Sequence, residues 1–262
     1  MTRSISWMLC LLTAGCVGCT AWHGPDTQET PTWDTDPGTA TQDTDPCPDG
    51  TTVHEGDARV SNTDDVAALR CVREITGGLY VESDALTNLD GLEALERVEN
   101  GVRFDATVNL VSIEGLRGLT SAGDLSISGA LSLPSLAGLE HLATVRSVGI
   151  ANNTVLVSVQ ALASISHLEG GLSVVGNFSL TSLDGLQGLT AIDSGLQIGL
   201  NANLGSIDAL DGLSSLGGVM TVMSNPFLCQ SDVDALAARL GASCVDCTDN
   251  GPDLRDCTPA AR

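Results

Sequence analysis

The sequence predicts a mainly β protein, a single-stranded β-solenoid with short capping helices. Three observations support this fold class. Apolar residues recur at intervals of about 24 residues, which is typical of stacked repeats. Aromatic residues make up only 3% of the chain, whereas a compact globular core usually relies on them for buried area. The cysteines, finally, lie outside the repeats, at both of their ends.

The repeat can be followed from one leucine to the next. Its copies open at Leu86, Leu110, Leu133, Leu156, Leu180, Leu204 and Leu228. Apolar residues then stand three apart, as from Leu180 to Ile192, which indicates a loosely coiled or 3₁₀ segment. A pair two apart follows, as at Leu196 and Ile198, which indicates a short strand with both side chains facing inward. Stacked copies would share one core, because no single copy can bury its own apolar face.

An asparagine follows the predicted strand in the later copies. The positions are Asn153, Asn177, Asn201 and Asn225. A side-chain amide at this place can pair with the backbone of a tight bend, and buried backbone groups need such partners. We therefore expect a structural ladder, with a sugar-binding row as the alternative. Thr107 and Ala130 occupy this place in the first two full turns, which we expect to be looser or differently bent.

The pattern of the copy that runs from Leu180 to Asn201 resembles the leucine-rich-repeat superfamily. More narrowly, it resembles the receptor L domain of insulin- and EGF-type receptors, in the form found in bacterial surface lipoproteins. The resemblance covers about residues 58–244. It implies a right-handed solenoid with a parallel sheet on one face, and extracellular binding. The chain lacks the cysteine-rich module and kinase of those receptors, so hormone binding and ligand-contact residues do not carry over.

Both ends of the repeats show helix signals. Near the front, Thr63 precedes two acidic residues, so it is a candidate N-cap beside charges that suit a helix N-terminus. Near the back, Ser231 and Asp234 resemble a capping box, and Gly241 suits a helix end. We predict a short closing helix over residues 232–240.

Residues 1–15 are typical of a bacterial lipoprotein signal peptide. Arg3 supplies the positive charge near its start, and a short apolar stretch follows. The residues Leu12 to Cys16 resemble a lipobox, so we expect Cys16 to carry the lipid, such as palmitate, with Cys19 as the alternative. This predicts an exported protein that is lipid-anchored to the bacterial outer membrane or cell surface. An ordinary cleaved signal with incidental cysteines remains the other interpretation.

Six cysteines beyond the anchor are candidates for disulfides. They are Cys47, Cys71, Cys229, Cys244, Cys247 and Cys257. An exported protein meets an oxidising environment, which favours disulfides. The suggested pairs are Cys229 with Cys244, Cys247 with Cys257, and Cys47 with Cys71. The lipobox pattern favours acylation of Cys16, whereas an even cysteine count favours Cys19. Zinc at Cys244 and Cys247 would need two more ligands, so we expect no metal ion.

The segment 16–50 is predicted to be a disordered acidic tether rich in Thr, Pro and Asp. It has little aliphatic surface to bury, and its charges repel one another. Calcium binding by its aspartate pairs is the alternative, but the expected glycine turn is missing.

We expect the rest of the chain to divide into two parts. A leucine-rich region with its N-cap covers residues 51–228, and a cap helix with a cysteine-containing tail covers residues 229–262.

Composition and motifs together bound the function. The chain carries 33 acidic and 11 basic residues, a net charge of −22, which argues against nucleic-acid binding. No serine-hydrolase, zinc-protease or phosphate-loop motif occurs, and His141 and His167 occupy positions expected at the surface. We expect a non-enzymatic surface lipoprotein, with no catalytic residue or cofactor, whose repeats bind an unknown protein or glycan.

Two other functions stay open. A structural envelope protein that provides spacing would need only the tether and the repeats. A carbohydrate-active enzyme would need two carboxylates set across a cleft. Phe178 and Phe227 follow the bend of the repeat, and we expect them to stack inside the core.

Overall fold

Short parallel strands, contributed by successive repeats, make up most of the structure. The structure is a computed structural model that describes residues 52–252. The predicted signal peptide and tether lie outside these residues. The described strands are β1 (Val53–His54), β2 (Ala58–Val60), β3 (Glu74–Ile75), β4 (Gly78–Val81), β5 (Arg97–Asp105), β6 (Ser121–Ser128), β7 (Thr144–Ala151), β8 (His167–Leu168), β9 (Leu172–Val175), β10 (Ala191–Ile192), β11 (Leu196–Gly199), β12 (Ser215–Leu216), β13 (Met220–Met223) and β14 (Cys244–Asp246).

Helices are few and short in the same residues. The α-helices are α1 (Thr63–Ala68) and α2 (Gln230–Leu240), and the 3₁₀ helices are η1 (Glu114–Leu116), η2 (Gln160–Leu162) and η3 (Asp208–Leu210). The 3₁₀ helices lie in the segments where apolar residues stand three apart, as that spacing predicts. Such segments connect the strands of neighbouring repeats.

Eleven strands form one parallel sheet. Its main order is β1-β3-β5-β6-β7-β9-β11-β13-β14, and β4 pairs with both β2 and β5. The repeat length sets the register, so that Leu172, Leu196 and Met220 are direct neighbours across three strands. Residues at equivalent places in successive repeats therefore line up across the sheet.

A second sheet corrects the predicted fold class. Strands β8, β10 and β12 form a separate parallel sheet of three strands, so the later repeats contribute two strands each. The predicted right-handed single-stranded β-solenoid of leucine-rich-repeat-like, receptor L domain type with short capping helices is therefore wrong. The architecture is an open parallel sheet of eleven strands with a smaller parallel sheet.

The physical reason lies in the residues just before the glycine-rich step. In β5, β6 and β7 the chain stays extended through this step, which makes strands of eight or nine residues. In later repeats Gly170 and Gly171, or Gly217 and Gly218, interrupt the strand. The extended residues on both sides still pair with the neighbouring repeat, because backbone groups need hydrogen-bond partners.

The core is continuous from repeat to repeat. The apolar residues three apart in the connections and two apart in the strands all face it, and nearly all of them are fully buried. Phe104 is among the largest fully buried side chains, and the remaining large ones are leucine and isoleucine. A core of this kind needs few aromatic residues because each layer is closed by the next one.

The two α-helices begin at residues other than those predicted. The N-cap of α1 is Asn62, whose side chain accepts hydrogen bonds from the backbone of Asp64 and Asp65 at 2.8 and 3.1 Å; the predicted cap Thr63 is the first helical residue. Helix α2 starts at Gln230 with no side-chain cap bond, so the predicted capping box is wrong. It ends at Leu240, where Gly241 is left-handed with φ of 58°.

The asparagines join adjacent repeats inside the protein. The backbone N–H groups of Asn153, Asn177 and Asn201 donate to the side-chain oxygen of the next asparagine at 3.2, 3.0 and 3.1 Å. Each side-chain amide donates to a strand carbonyl of the preceding repeat, as from Asn177 to Ile150 at 2.9 Å. These asparagines are fully buried, so they offer no surface to a sugar.

Asn250 is a further rung that the repeat spacing did not reveal. Its side-chain oxygen accepts from the backbone of Asn225 at 3.3 Å, and its amide donates to the carbonyl of Val222 at 2.8 Å. Asn250 lies 25 residues after Asn225, beyond α2. The segment after the helix thus returns to complete the ladder.

The same bend precedes every ladder position. The residue before it is left-handed in each repeat: Ala106, Gly129, Asn152, Gly176, Leu200, Ser224 and Asp249. The turns at Thr107 and Ala130 share this conformation, so our expectation of a different bend there is wrong. Replacing the ladder asparagine has a different consequence at Thr107, whose buried hydroxyl has no hydrogen-bond partner.

Candidate binding face

One outward-facing residue from each of eight strands of the large sheet forms a row across it. The row is Arg59, Tyr80, Arg103, Ser126, Gly149, Ser173, Gln197 and Thr221. Each lies between two inward-facing residues, because side chains alternate along a strand. Adjacent members are therefore about one strand spacing, or about 4.8 Å, apart.

The front of this row is an exposed cluster of arginine and tyrosine. The guanidinium carbon of Arg59 lies 5.1 Å from the centroid of the Tyr80 ring, within the range of a cation–π interaction. Arg103 is the next residue in the row, and its side chain is 58% exposed. Carboxylates flank both arginines, with Glu82 at 3.8 Å from Arg59. We call Arg59, Tyr80 and Arg103 the arginine cluster.

Beyond the arginine cluster the row enters a shallow groove of about 660 Å³, lined by polar groups together with apolar ones such as the exposed Val219. Its floor is open because Gly149, Gly171 and Gly195 carry no side chain. Ser173 and Gln197 stand in the groove and are joined by a hydrogen bond of 3.2 Å between the serine hydroxyl and the amide oxygen. The groove therefore presents hydroxyl, amide and backbone groups on a nearly flat surface.

A carboxylate held by two neighbours marks one end of the groove. Asp124 accepts hydrogen bonds from Arg146, one of them from Nε at 3.0 Å, and from the hydroxyl of Ser147 at 2.5 Å. The hydrogen bonds from Arg146 hold the pKa of Asp124 below its ordinary value, and Ser147 adds to the effect. Asp124 is thus a fixed anion with its oxygens engaged, which suits recognition better than proton transfer.

Two of the four histidines, His141 and His167, lie away from the groove. His141 and His167 are exposed, and His167 Nε2 is 3.0 Å from a carboxylate oxygen of Asp193 at the smaller sheet. Neither belongs to the groove. The structure therefore does not bring His141 or His167 into the groove that Asp124 lines.

Phe178 and Phe227 are exposed, contrary to our expectation. Their exposed fractions are 49% and 67%. The adjacent ladder residue Asn177 takes the inward position, so the chain turns Phe178 outward. The same bend carries Phe227 to the surface two residues after Asn225. The prediction failed because the ladder asparagine, not the larger ring, fills the core at the bend.

The described cysteines form a different pairing from the one suggested. Cys244 is bonded to Cys247, so the suggested pairs of Cys229 with Cys244 and of Cys247 with Cys257 are both wrong. The spacing explains the difference, because Cys247 directly follows strand β14 and lies three residues after Cys244. Cys71 and Cys229 are also disulfide-bonded. The lipidation candidates Cys16 and Cys19, with Cys47 and Cys257, lie outside the described residues.

Two searches of the described residues were negative. Over residues 52–252, no group of three or more His, Cys, Asp or Glu side chains is placed to hold a metal ion. Within this same part of the chain, helices are too short or too polar to cross a membrane.

The arginine cluster and the groove were not identified from the sequence. Their residues are separated by whole repeats, and small residues such as Ser126 and Gly149 look like filler in a single copy. The available signal was the residue that stands between the two inward-facing residues of each strand, compared from copy to copy.

Against known proteins, no family model matches this chain, and no curated protein matches it either.

Proposed function

We propose that this chain is a non-enzymatic, lipid-anchored surface protein that binds a protein or a glycan on the outward face of its large sheet. The observation that carries the proposal is the groove beside the arginine cluster, which is lined by both polar and apolar groups. The residues of both belong to one row with one residue per strand, so a ligand that follows the row would meet them in succession.

The arginine cluster supplies the anchoring part of the face. Arginine and tyrosine are enriched among residues that dominate binding energies, and Arg59 and Tyr80 already hold each other in place. The guanidinium groups of Arg59 and Arg103 are exposed, and each lies beside a carboxylate, Glu82 and Asp105 respectively. They would contribute directed hydrogen bonds to a ligand at the front of the sheet.

The groove supplies the specific part. Ligand sites commonly combine a preformed concave surface with a few fixed polar groups. Ser173 and Gln197 present such groups, and the hydrogen bond between them already restricts both side chains, so less conformational entropy is lost when a ligand orders them. The backbone beneath is held by parallel pairing on both sides, so binding would need little rearrangement.

The predicted signal peptide and tether supply the location. A lipid on Cys16 or Cys19 and an extended acidic segment over residues 16–50 would hold the sheet away from the membrane. In that position the outward face would be accessible to partners. This part of the proposal depends on the sequence patterns alone.

The two other functions have less support. A spacing protein needs no binding surface, and a uniformly acidic face would favour it, whereas this face carries the arginine cluster. An enzyme that cleaves glycosidic bonds needs two carboxylates across its cleft. Asp124 is the carboxylate that lines this groove, and Arg146 and Ser147 occupy its oxygens.

A binding experiment with the full chain tests the proposal. Detergent-solubilised protein is immobilised and exposed to labelled cell-envelope proteins and, separately, to an array of glycans. We expect the variant R59A/R103A to retain at least about tenfold less ligand, since loss of about 1.4 kcal/mol corresponds to a factor of ten.

The matched control is R117A, which removes an exposed arginine paired with Glu93 away from the groove. It should bind as the unmodified protein does. Equal retention by R59A/R103A and R117A, or no ligand from either source, would contradict the proposal.

A further inference from the structure

The last turn of the described chain contains an accessible disulfide. Cys244 and Cys247 are bonded to each other. Cys244 is exposed, whereas Cys247 is half buried and packs against the core. A reductant in solution therefore reaches the sulfur of Cys244 more easily than that of Cys247.

This disulfide spans an irregularity in the sheet. Strand β14 pairs with β13 through Met220 opposite Cys244 and Thr221 opposite Asp246. Val245 has no place in this register and is 69% exposed. The covalent bond between Cys244 and Cys247 closes over this bulge. Bulged edge strands are less able to pair with another chain.

The same segment completes the end of the sheet and of the asparagine ladder. The backbone N–H of Ser224 donates to the carbonyl of Thr248 at 3.1 Å, and that of Asn225 donates to the side chain of Asn250 at 3.3 Å. The backbone N–H of Gly251 then donates to the carbonyl of Leu228 at 2.7 Å. Residues 244–251, which we call the last turn, therefore cover the edge of β13.

We propose that the Cys244–Cys247 disulfide is a redox-sensitive clasp on the last turn. When the disulfide is closed, it holds the bulge of β14 and keeps the last turn on β13. Reduction releases this constraint, so the last turn opens more often and the edge of β13 and the end of the ladder become exposed to solvent.

The chemistry requires a dithiol reductant. One of its thiolates attacks the sulfur of Cys244, the bond between the two cysteine sulfurs breaks, and Cys247 leaves as a thiolate that takes up a proton. The second thiolate of the reductant attacks the mixed disulfide and releases Cys244, which is also protonated. Two electrons pass to the protein, and the reductant ends as an internal disulfide.

The local structure indicates a clasp and not a catalytic dithiol. Catalytic pairs of this spacing have a thiol pKa lowered by a helix N-terminus or a cation. Here Cys244 lies on strand β14 and Cys247 directly follows that strand, so the pair does not stand at a helix N-terminus. The closed loop is also very short, so it restricts the unfolded chain less than a long loop does.

Stepwise reduction tests the accessibility. The full chain is incubated with increasing dithiothreitol, free thiols are alkylated with iodoacetamide, and modified peptides are quantified by mass spectrometry. We expect Cys244 and Cys247 to be labelled at about tenfold lower dithiothreitol than the half-buried Cys71 and Cys229. Labelling of Cys71 or Cys229 at the same or a lower concentration would overturn the proposal.

Hydrogen exchange tests the opening. In the variant C244S/C247S we expect the amides of Ser224 and Asn225 to exchange at least about tenfold faster than in the unmodified protein. Amides of β6 and β7, several strands away, should keep their rates, which excludes global unfolding. The variant V245S, which alters the bulge but keeps both cysteines, is the matched control. Unchanged rates at Ser224 and Asn225 in C244S/C247S would overturn the clasp.

Discussion

Asn177 illustrates how much a single side chain does in this protein. Its amide oxygen accepts from the backbone of Asn153 at 3.2 Å, and its amide nitrogen donates to the carbonyl of Ile150 at 2.9 Å. Both partners are buried backbone groups that no water can reach. Loss of the side chain would leave them unpaired, which is among the costlier defects in a protein interior.

We predict that N177A lowers the free energy of unfolding by about 2–4 kcal/mol, through unpaired backbone groups and a cavity. Urea denaturation followed by circular dichroism measures this. The control is N203A, which removes an exposed amide that donates to the carbonyl of Phe178 and should cost about 1 kcal/mol or less. Equal losses in the two variants would show that the ladder is not a special source of stability.

The left-handed residue before each ladder position sets a second residue-scale requirement. Gly129 meets it without strain, whereas Ala106 holds φ of 50° with a Cβ atom. The left-handed region disfavours residues with a Cβ atom by about 1–2 kcal/mol, which outweighs the entropy that glycine loses on folding.

Reciprocal substitutions at these two bends should therefore have opposite effects. We expect A106G to raise the free energy of unfolding by up to about 1 kcal/mol and G129A to lower it by about as much. Steric clash is not the reason for the loss in G129A, because a Cβ atom on Gly129 would meet its nearest neighbours at 3.5 Å, an ordinary contact distance. Thermal melting of both variants is the measurement, and a decrease for A106G would contradict the argument.

At the scale of the element, each strand and connection depends on its neighbours in the stack. The strands of two residues could not persist alone, and they pair because the next repeat presents the same backbone one strand spacing away. Helix α2 is different, because a neighbouring repeat lies on only one side of it. Arg239 attaches it to the last repeat by donating to the carbonyls of Leu210, Asp211 and Leu213.

We expect R239K to loosen α2 without unfolding the sheet. Lysine keeps the charge but lacks the planar group that reaches several carbonyls at once. Hydrogen exchange of the α2 amides should accelerate about tenfold, equivalent to a loss of about 1.4 kcal/mol, while β6 and β7 stay protected. The variant R117K, at an exposed ion pair with Glu93, should leave α2 unchanged, and equal effects from both would contradict this role of Arg239.

At the scale of the whole molecule, charge opposes the packing that the repeats achieve. A net charge of −22 on 262 residues favours expansion by self-repulsion. The ion pairs described above are exposed, so they offset little of this cost. Stability should therefore depend on ionic strength.

We predict that sodium chloride raised from about 0.01 M to 0.2 M increases the urea midpoint at pH 7, because screening weakens the repulsion between like charges. Near the isoelectric point of about 4.1 the same salt step should have little effect. A salt response of equal size at both pH values would show that self-repulsion is not its cause.

The site shows where prediction from residues reached its limit. The leucine spacing correctly placed the inward-facing residues, and the asparagine positions were visible in the same register. Ser126, Gly149 and Ser173 carry no such signal, because outward positions vary freely from copy to copy. Their common row exists only when the copies stack. Arg59 and Tyr80 likewise become neighbours through pairing of β2 with β4.

The sequence by itself determined the repeat, its register and the inward-facing residues, because burial of apolar surface imposes a period that one chain displays directly. It also determined that few aromatic residues are needed. Only the tertiary structure decided that later repeats supply two strands, that Cys244 pairs with Cys247, that Asn250 returns to end the ladder, and that a groove lies beside the arginine cluster. Each of these depends on which backbone groups and side chains meet across neighbouring turns, and such contacts are set by packing in three dimensions.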